Sequence, residues 1–196
     1  MQDKLDLIAN KARQDKRMKF TSLFHHINEV NLHSCYQELK KDKACGIDGV
    51  TLESYGEALT ENITLLVQKL KSKRYRPKPA LRVYIPKAGK DEYRGLGIPA
   101  LEDKLVQLMV KKILEPIFEA NFLDCSYGFR PALSCHKAIS CLNQTIMKEP
   151  VNYVVEVDIR KFFGAPGKAW CFQRVEFPSW KRSSQPTRDR VLSLWR

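Results

Sequence analysis

A single carboxylate follows an apolar run near the middle of the C-terminal half of the chain. The segment "VNYVVEVDIRKFF", residues 151–163, passes through four valines to Asp158. A carboxylate at the end of a central strand is suited to binding Mg²⁺, but phosphoryl transfer with two metal ions needs carboxylates that converge from separate elements. The alternative is an ordinary aspartate that caps the turn after a strand. Asp158 therefore makes half of a metal site at best.

Two cations flank a predicted β-turn. The segment "LRVYIPK" alternates apolar and polar residues, "AGKDE" is typical of a turn, and "YRGLGIP" returns, so the sequence predicts a hairpin. Lys87 and Arg94 are seven residues apart on either side of this turn. That spacing allows both to face one triphosphate. The alternative is two solvated charges at a turn.

A strip of cations and aromatic residues precedes and enters the hairpin. The cations are Arg74, Arg76, Lys78 and Arg82, and Tyr75 and Tyr84 are interleaved with them. Positive charge beside aromatic rings suits single-stranded nucleic acid, whose phosphates pair with the cations and whose bases stack. The alternative is the positive charge expected at a helix C-terminus.

The charge balance favours a polyanionic partner over simple solubility. The 196 residues carry a net charge of +12. Residues 1–163 hold 27 basic and 20 acidic side chains, and residues 164–196 hold 7 and 2. No apolar run approaches the roughly 20 residues of a membrane helix, and the charged N-terminus does not resemble a secretory signal. We expect a cytoplasmic protein that has no membrane partner, with an organellar location left open.

Six cysteines stand at positions 35, 45, 125, 135, 141 and 171. No pair has the two-residue spacing of a zinc knuckle, although His136 adjoins Cys135. We expect reduced, mostly buried thiols and no metal site built from them.

The remaining elements are predicted to be mainly helical. We expect an exposed helix or arm in residues 1–30, a helix capped by Asn31, one long helix capped by Thr51, a buried helix after Pro99, and a helix capped by Ser134. Residues 152–159, apolar on both faces, predict a central strand. Residues 164–196 have no sustained period and a different composition, and are predicted to be a disordered tail.

Five segments occur in an order and spacing that resemble group II intron reverse transcriptase/maturases. They are "KACGIDGVT", "YRPKPALRVYIPK", "LGIPALEDKLVQ", "ILEPIFEANFLDCSYGFRP" and "VVEVDIRKFF", and they span roughly residues 30–163. The resemblance implies an α+β, truncated right-hand polymerase fold. Residues 31–150 would be mostly helical fingers with a β-hairpin, and residues 151–163 the first palm strand.

The resemblance also implies roles for individual residues. Asp158 would be the first catalytic aspartate and would bind Mg²⁺ together with the carbonyl of Ile159. Phe163 would gate the sugar of the incoming nucleotide. Lys87 and Arg94 would hold the phosphates of a deoxynucleoside triphosphate, and Arg130 of "YGFRP" would lie near the template and nucleotide pocket. The implied partners are group II intron RNA and a primer/template.

The sequence departs from the family pattern in ways that bear on activity. Gly95 stands where the family usually has proline before "LGIP", and neither a "DNI"-like segment nor a Tyr-x-Asp-Asp turn follows "FF". Thumb and maturase regions are also missing, and a frameshift and a truncation at Gly164 both remain open. We expect a piece of an RNA-directed DNA polymerase that binds intron RNA and is inactive alone. The alternatives are a non-catalytic RNA-binding module and the non-functional product of a decayed element.

Overall fold

The computed structural model describes residues 2–15, 17–41, 43–86, 89 and 91–156. These residues fall into two compact units, one formed by Lys19–Leu114 and the other by Gln2–Met18 with the residues from 115 to 156. In the described ranges, no helix is long and apolar enough to cross a membrane.

Six α-helices and two β-strands form the described part of the chain. The helices are α1 (Gln2–Gln14), α2 (Glu29–Glu38), α3 (Leu52–Gly56), α4 (Leu59–Lys71), α5 (Leu101–Glu119) and α6 (Cys135–Lys148), with a short 3₁₀ helix at Phe24–His26. The strands are β1 (Leu81–Pro86) and β2 (Tyr93–Ile98). This confirms the expected mixture of helices with a two-stranded antiparallel sheet.

Helix α1 is more than an exposed arm. Leu5, Ile8 and Ala12 are buried, and their spacing by three and four residues places them on one face of the helix. The prediction that this segment is exposed is therefore wrong for that face. The apolar stripe is narrow and lies among many charged residues, so the sequence shows only weak helical periodicity.

Helix α2 begins three residues earlier than predicted. The side chain of Asn28 accepts a hydrogen bond from the backbone N–H of Asn31, with an N···O distance of 3.0 Å, so Asn28 is the N-cap. The amide of Asn31 instead donates to the carbonyl of His26 at 2.7 Å. Both asparagines are good caps, and the sequence did not distinguish them.

Thr51 caps a helix as predicted, but the helix is short. Its side chain and that of Ser54 form a reciprocal capping box at the start of α3. At Ala58 the backbone leaves the helical region, with φ −123° and ψ 42°, and α4 begins at the next residue. The amide of Asn62 donates to the carbonyl of Tyr55, which partly compensates for the interruption. One predicted helix is thus two.

The core of the first unit lies along α4 and α5, and α2 packs against α4. Leu32 and Cys35 from α2, Ile63 and Leu66 from α4, and Leu105, Met109 and Ile113 from α5 are fully or almost fully buried. The prediction of a buried helix after Pro99 is confirmed. The start of α5 also approaches the loop before α3, because a Cβ on Gly46 would lie 2.6 Å from the Cα of Ala100.

The last described residues of the second unit, 151–156, do not form the predicted strand. Ser134 caps α6 as expected, its hydroxyl accepting from the N–H of Lys137 at 3.3 Å. Residues 151–156 are not in a strand, and Val151, Tyr153, Val154 and Val155 are exposed. A strand forms only where its backbone groups find a partner strand, and the described residues offer it none. The strand prediction is wrong for residues 152–156, while residues 157–163 lie outside the described part of the chain.

Candidate nucleic-acid interface

A buried carboxylate holds the segment between α4 and β1. Asp103, in the first turn of α5, is 2% exposed. It accepts a hydrogen bond from the hydroxyl of Tyr75 and another from the backbone N–H of Lys78 at 3.1 Å. Because these donors lie three residues apart in an extended stretch, Asp103 fixes that stretch at two points.

Burial alters the ionisation of both side chains in this anchor. Burial is the main cause that raises the pKa of Tyr75, and its hydrogen bond to Asp103 adds to the rise. Burial also raises the pKa of Asp103, although the hydrogen bonds from Tyr75 and Lys78 oppose that effect. Tyr75 is therefore a neutral donor and part of the support, and it is not an exposed ring for stacking.

The four cations of the predicted RNA-binding strip differ in what they contact. Arg74 and Arg76 are exposed, and the guanidinium of Arg76 donates to the carbonyls of Lys73 and Tyr75, both at 3.0 Å. The Nζ of Lys78 forms an ion pair with Asp48 at 3.0 Å, and this hydrogen bond raises the pKa of Lys78. Arg74 and Arg76 are thus presented to solvent, whereas Lys78 partly serves to hold the loop of Asp48.

The turn that leads out of α4 is tight. Lys73 has φ 58°, a left-handed conformation, and the N–H groups of Arg74 and Tyr75 both donate to the carbonyl of Lys69 at 3.0 Å. Glycine is the usual residue at such a helix end. The left-handed turn directs the chain from the helix into the segment that Asp103 anchors.

The hairpin divides the predicted site residues between two faces. Arg94 pairs with Ile85, and alternation places it on the face of Val83 and Leu96. Arg82 lies on the other face, where its Cζ is 5.7 Å from the centroid of the Tyr84 ring. The cation predicted to hold phosphates and the cation predicted to bind RNA therefore do not share a surface.

Arg130 is already engaged within the second unit. Its Nε and Nη2 donate to the carboxylate of Glu119, Nη2 at 2.6 Å, and its Nη1 donates to the carbonyls of Leu123 and Ser126. Its side chain is 11% exposed. The neighbouring Phe129, by contrast, is fully exposed with φ 56°. Arg130 organises its own loop, and its proximity to a nucleotide pocket stays a prediction.

A small cavity adds cations that the sequence analysis missed. Its volume is about 270 Å³, and it lies between the segment before α3, the end of β2 and the start of α5. Its described lining includes Lys40, Lys41, Lys43 and Lys104, over an apolar floor with Leu96 and Ile98. The Nζ of Lys104 donates to the carbonyl of Ala44 at 2.6 Å. The sequence "KKDK", residues 40–43, is the feature from which this basic rim could have been predicted.

The remaining predicted site residues lie outside the described part of the chain. These are Lys87, Asp158, Ile159 and Phe163. Their roles stay predictions, as does the binding of Mg²⁺.

The cysteines are more exposed than expected. Cys35 is buried and Cys45 is partly buried, while Cys125, Cys135 and Cys141 are exposed, and all five are free thiols. The prediction of mostly buried thiols is therefore wrong. In the described ranges, no group of three or more His, Cys, Asp or Glu side chains could hold a metal ion.

Three similar proteins align with 60–81% of this chain. Group II intron-encoded protein LtrA of Lactococcus lactis subsp. cremoris is 35% identical over 162 residues, which are 81% of this chain and 26% of that protein. Protein YkfC of Escherichia coli is 39% identical over 121 residues, 60% of this chain and 32% of that protein. The putative COX1/OXI3 intron 1 protein of Saccharomyces cerevisiae is 31% identical over 157 residues, 80% of this chain and 18% of that protein.

These matches relate the chain to a class of proteins encoded within group II introns. The chain is a relative of the group II intron-encoded proteins, which confirms the resemblance predicted from the sequence motifs. It spans about a quarter of the length of LtrA. No family model matches the chain.

Proposed function

We propose that residues 31–150 are the fingers region of an RNA-directed DNA polymerase and that they bind RNA, in particular group II intron RNA. The anchoring of the strip by Asp103 carries this proposal. A flexible basic segment would lose conformational entropy on binding, whereas here a buried carboxylate already holds the Tyr75 side chain before Arg76 and the backbone N–H of Lys78 after it. The relation to group II intron-encoded proteins supports RNA as the polyanion.

The unit that holds the strip carries further cations. Lys40, Lys41 and Lys43 at the rim of the cavity belong to the same unit as Arg74 and Arg76. Several phosphate contacts add up, since each one releases condensed counterions from the nucleic acid. The surface suits the backbone of an RNA strand without selecting a base sequence.

The polymerase site belongs to the same proposal. Lys87 and Arg94 would hold the triphosphate of an incoming deoxynucleotide, Phe163 would lie against its sugar, and Asp158 with the carbonyl of Ile159 would hold Mg²⁺. The first palm strand of a right-hand fold would carry these last three residues. When bound, Mg²⁺ would neutralise charge on the transferring phosphate. Asp158 is the only palm carboxylate of this pattern in the 196 residues, so the proposed chain binds RNA but does not synthesise DNA by itself.

RNA binding is tested by filter binding of the purified chain to a structured RNA at two salt concentrations. We expect the logarithm of the binding constant to fall linearly with the logarithm of salt concentration. The expected slope is about −0.7 for each phosphate contacted on a single strand. Affinity that stays flat between the two concentrations would sink the proposal. Absence of binding at low salt would favour the non-functional product of a decayed element.

A further inference from the structure

We propose that the Arg82 face of the hairpin is a stacking platform for the bases of single-stranded RNA. This inference rests on the proposed RNA binding and names a surface for it. The register pairs Arg82 with Gly97, Tyr84 with Gly95, and Pro86 with Tyr93. Partners in an antiparallel pair lie on the same face, so these six residues form one surface.

The platform has two open rings and a floor without side chains. Tyr84 is 60% exposed and Tyr93 is 68% exposed. Gly95 and Gly97 stand on β2, where side chains would otherwise fill the face beside Tyr84 and Arg82. A base that approaches Tyr84 therefore meets backbone on the β2 side.

The positions of the two tyrosines suit neighbouring nucleotides of one strand. Tyr84 and Tyr93 occupy diagonal positions on the same face, and such positions are roughly 7–8 Å apart. Neighbouring nucleotides of one strand, whose bases are roughly 3.4 Å apart when stacked, can therefore reach both rings. Stacking on aromatic rings tolerates any base, and the platform is therefore expected to select single strands over duplexes.

Gly95 explains how Arg82 reaches this surface. A Cβ at position 95 would lie 3.1 Å from the Nε of Arg82, so any other residue there would push the Arg82 side chain aside by a few tenths of an ångström. With glycine at position 95, the Arg82 guanidinium lies over the Tyr84 ring, where its charge can pair with the phosphate of a stacked nucleotide. Gly95, which stands where the family usually has proline, thus leaves room for Arg82 on this face.

The opposite face of the hairpin gives the contrast. Leu81, Val83 and Leu96 are partly exposed there, and Arg94 stands near the turn. That face carries no aromatic side chain among its described residues. It is therefore the surface for the triphosphate in the proposed function, and the Arg82 face is left for the RNA strand.

The test compares binding of an oligouridine single strand and a blunt RNA duplex of equal length to the full chain. Tyr84→Ala and Tyr93→Ala should each weaken single-strand binding about fivefold to a hundredfold and leave duplex binding unchanged. Tyr84→Phe keeps the ring and should bind as the parent does. Gly95→Ala, which crowds the Arg82 side chain, should weaken single-strand binding by less than Tyr84→Ala does.

Tyr153→Ala is the matched control, since Tyr153 is 89% exposed in the other unit. The inference is overturned if Tyr84→Ala and Tyr93→Ala bind the single strand as the parent does, if Tyr84→Phe loses as much affinity as Tyr84→Ala, or if the duplex is lost equally. The proposed function survives such a result as long as Arg74→Ala with Arg76→Ala weakens both RNAs. It fails separately if the parent chain binds neither.

Discussion

The hydroxyl of Tyr75 donates a hydrogen bond to the carboxylate of Asp103, 28 residues further along the chain. The same carboxylate also accepts from the backbone N–H of Lys78. The basic strip is therefore held by the first turn of α5, and its conformation depends on a residue that carries no positive charge. Changes at Asp103 should affect both the stability of the fold and the presentation of Arg76.

Breaking this pair should destabilise the chain. Asp103→Ala removes the acceptor of Tyr75 and Lys78, and Tyr75→Phe removes one donor to Asp103, so each leaves a buried polar group without this partner, which costs about 1–3 kcal/mol in the free energy of unfolding. Urea denaturation measures the loss. Because both variants remove the same hydrogen bond, the double variant should lose less than the sum of the two. Additive losses would show that the two side chains act independently, and Asp124→Ala, at an exposed position, should change little.

Stability should fall at alkaline pH. The pKa of Tyr75 and that of Tyr55 are raised above their usual 10.0, mainly by burial, and the pKa of Cys35 is raised from 9.0 to about 11 for the same reason. In the folded chain these groups keep protons that the unfolded chain has lost. The free energy of unfolding therefore decreases as pH rises above about 9, and further above about 10.

Urea denaturation at several pH values between 8 and 11 measures this dependence. Tyr75→Phe should reduce the slope above pH 10, because that variant has no phenol to titrate at this position. Tyr153→Phe, at an exposed site, should leave the slope of the parent. A stability that is constant or rising through this range would contradict the burial of these groups.

The hairpin cations should separate triphosphate binding from RNA binding. A Lys87→Ala/Arg94→Ala variant should lose binding of a deoxynucleoside triphosphate and keep nearly all RNA binding. Arg82→Ala removes a cation from the opposite face of the hairpin and should keep triphosphate binding. Titration of a fluorescent triphosphate analogue measures both. If RNA and triphosphate binding fall together in the double variant, these cations are general backbone contacts.

Much of this site was accessible from the sequence. The hairpin, the helix after Pro99 and the cap at Ser134 were predicted because each depends on residues close together in the chain. Alternation assigns the residues of each strand to two faces. The pairing register, which local patterns do not specify, then places Tyr93 on the same face as Tyr84. Tyr93 was missed because it lies after the turn, away from the cations of the predicted RNA-binding strip.

Contacts between side chains far apart in the chain could not be predicted from the sequence. Tyr75 was predicted to be a ring available for stacking, since nothing near it in sequence indicates Asp103. The ion pair between Lys78 and Asp48 links residues 30 positions apart, and the capture of Arg130 by Glu119 competes with its predicted role in a pocket. Such partners are set by packing, which local patterns do not specify.

Catalysis by the isolated 196-residue chain should be undetectable. One palm carboxylate with one carbonyl cannot position two metal ions, which also need ligands from other elements. Extension of a labelled primer on an RNA template, with Mg²⁺ or Mn²⁺, is expected to give no product for the parent or for Asp158→Asn. Extension that Asp158→Asn abolishes would mean that another acid, such as Glu176 or Asp189, completes the site.

The most direct measurement is the salt dependence of RNA affinity in an Arg74→Ala/Arg76→Ala variant beside a Lys4→Ala/Lys148→Ala control, which removes the same charge from the other unit. We predict that the strip variant binds a single strand more weakly, with a log–log slope shallower by about 0.7 for each lost contact, whereas the control keeps the parent's slope. Equal losses in both variants would show that only net charge matters and would contradict an anchored RNA-binding strip.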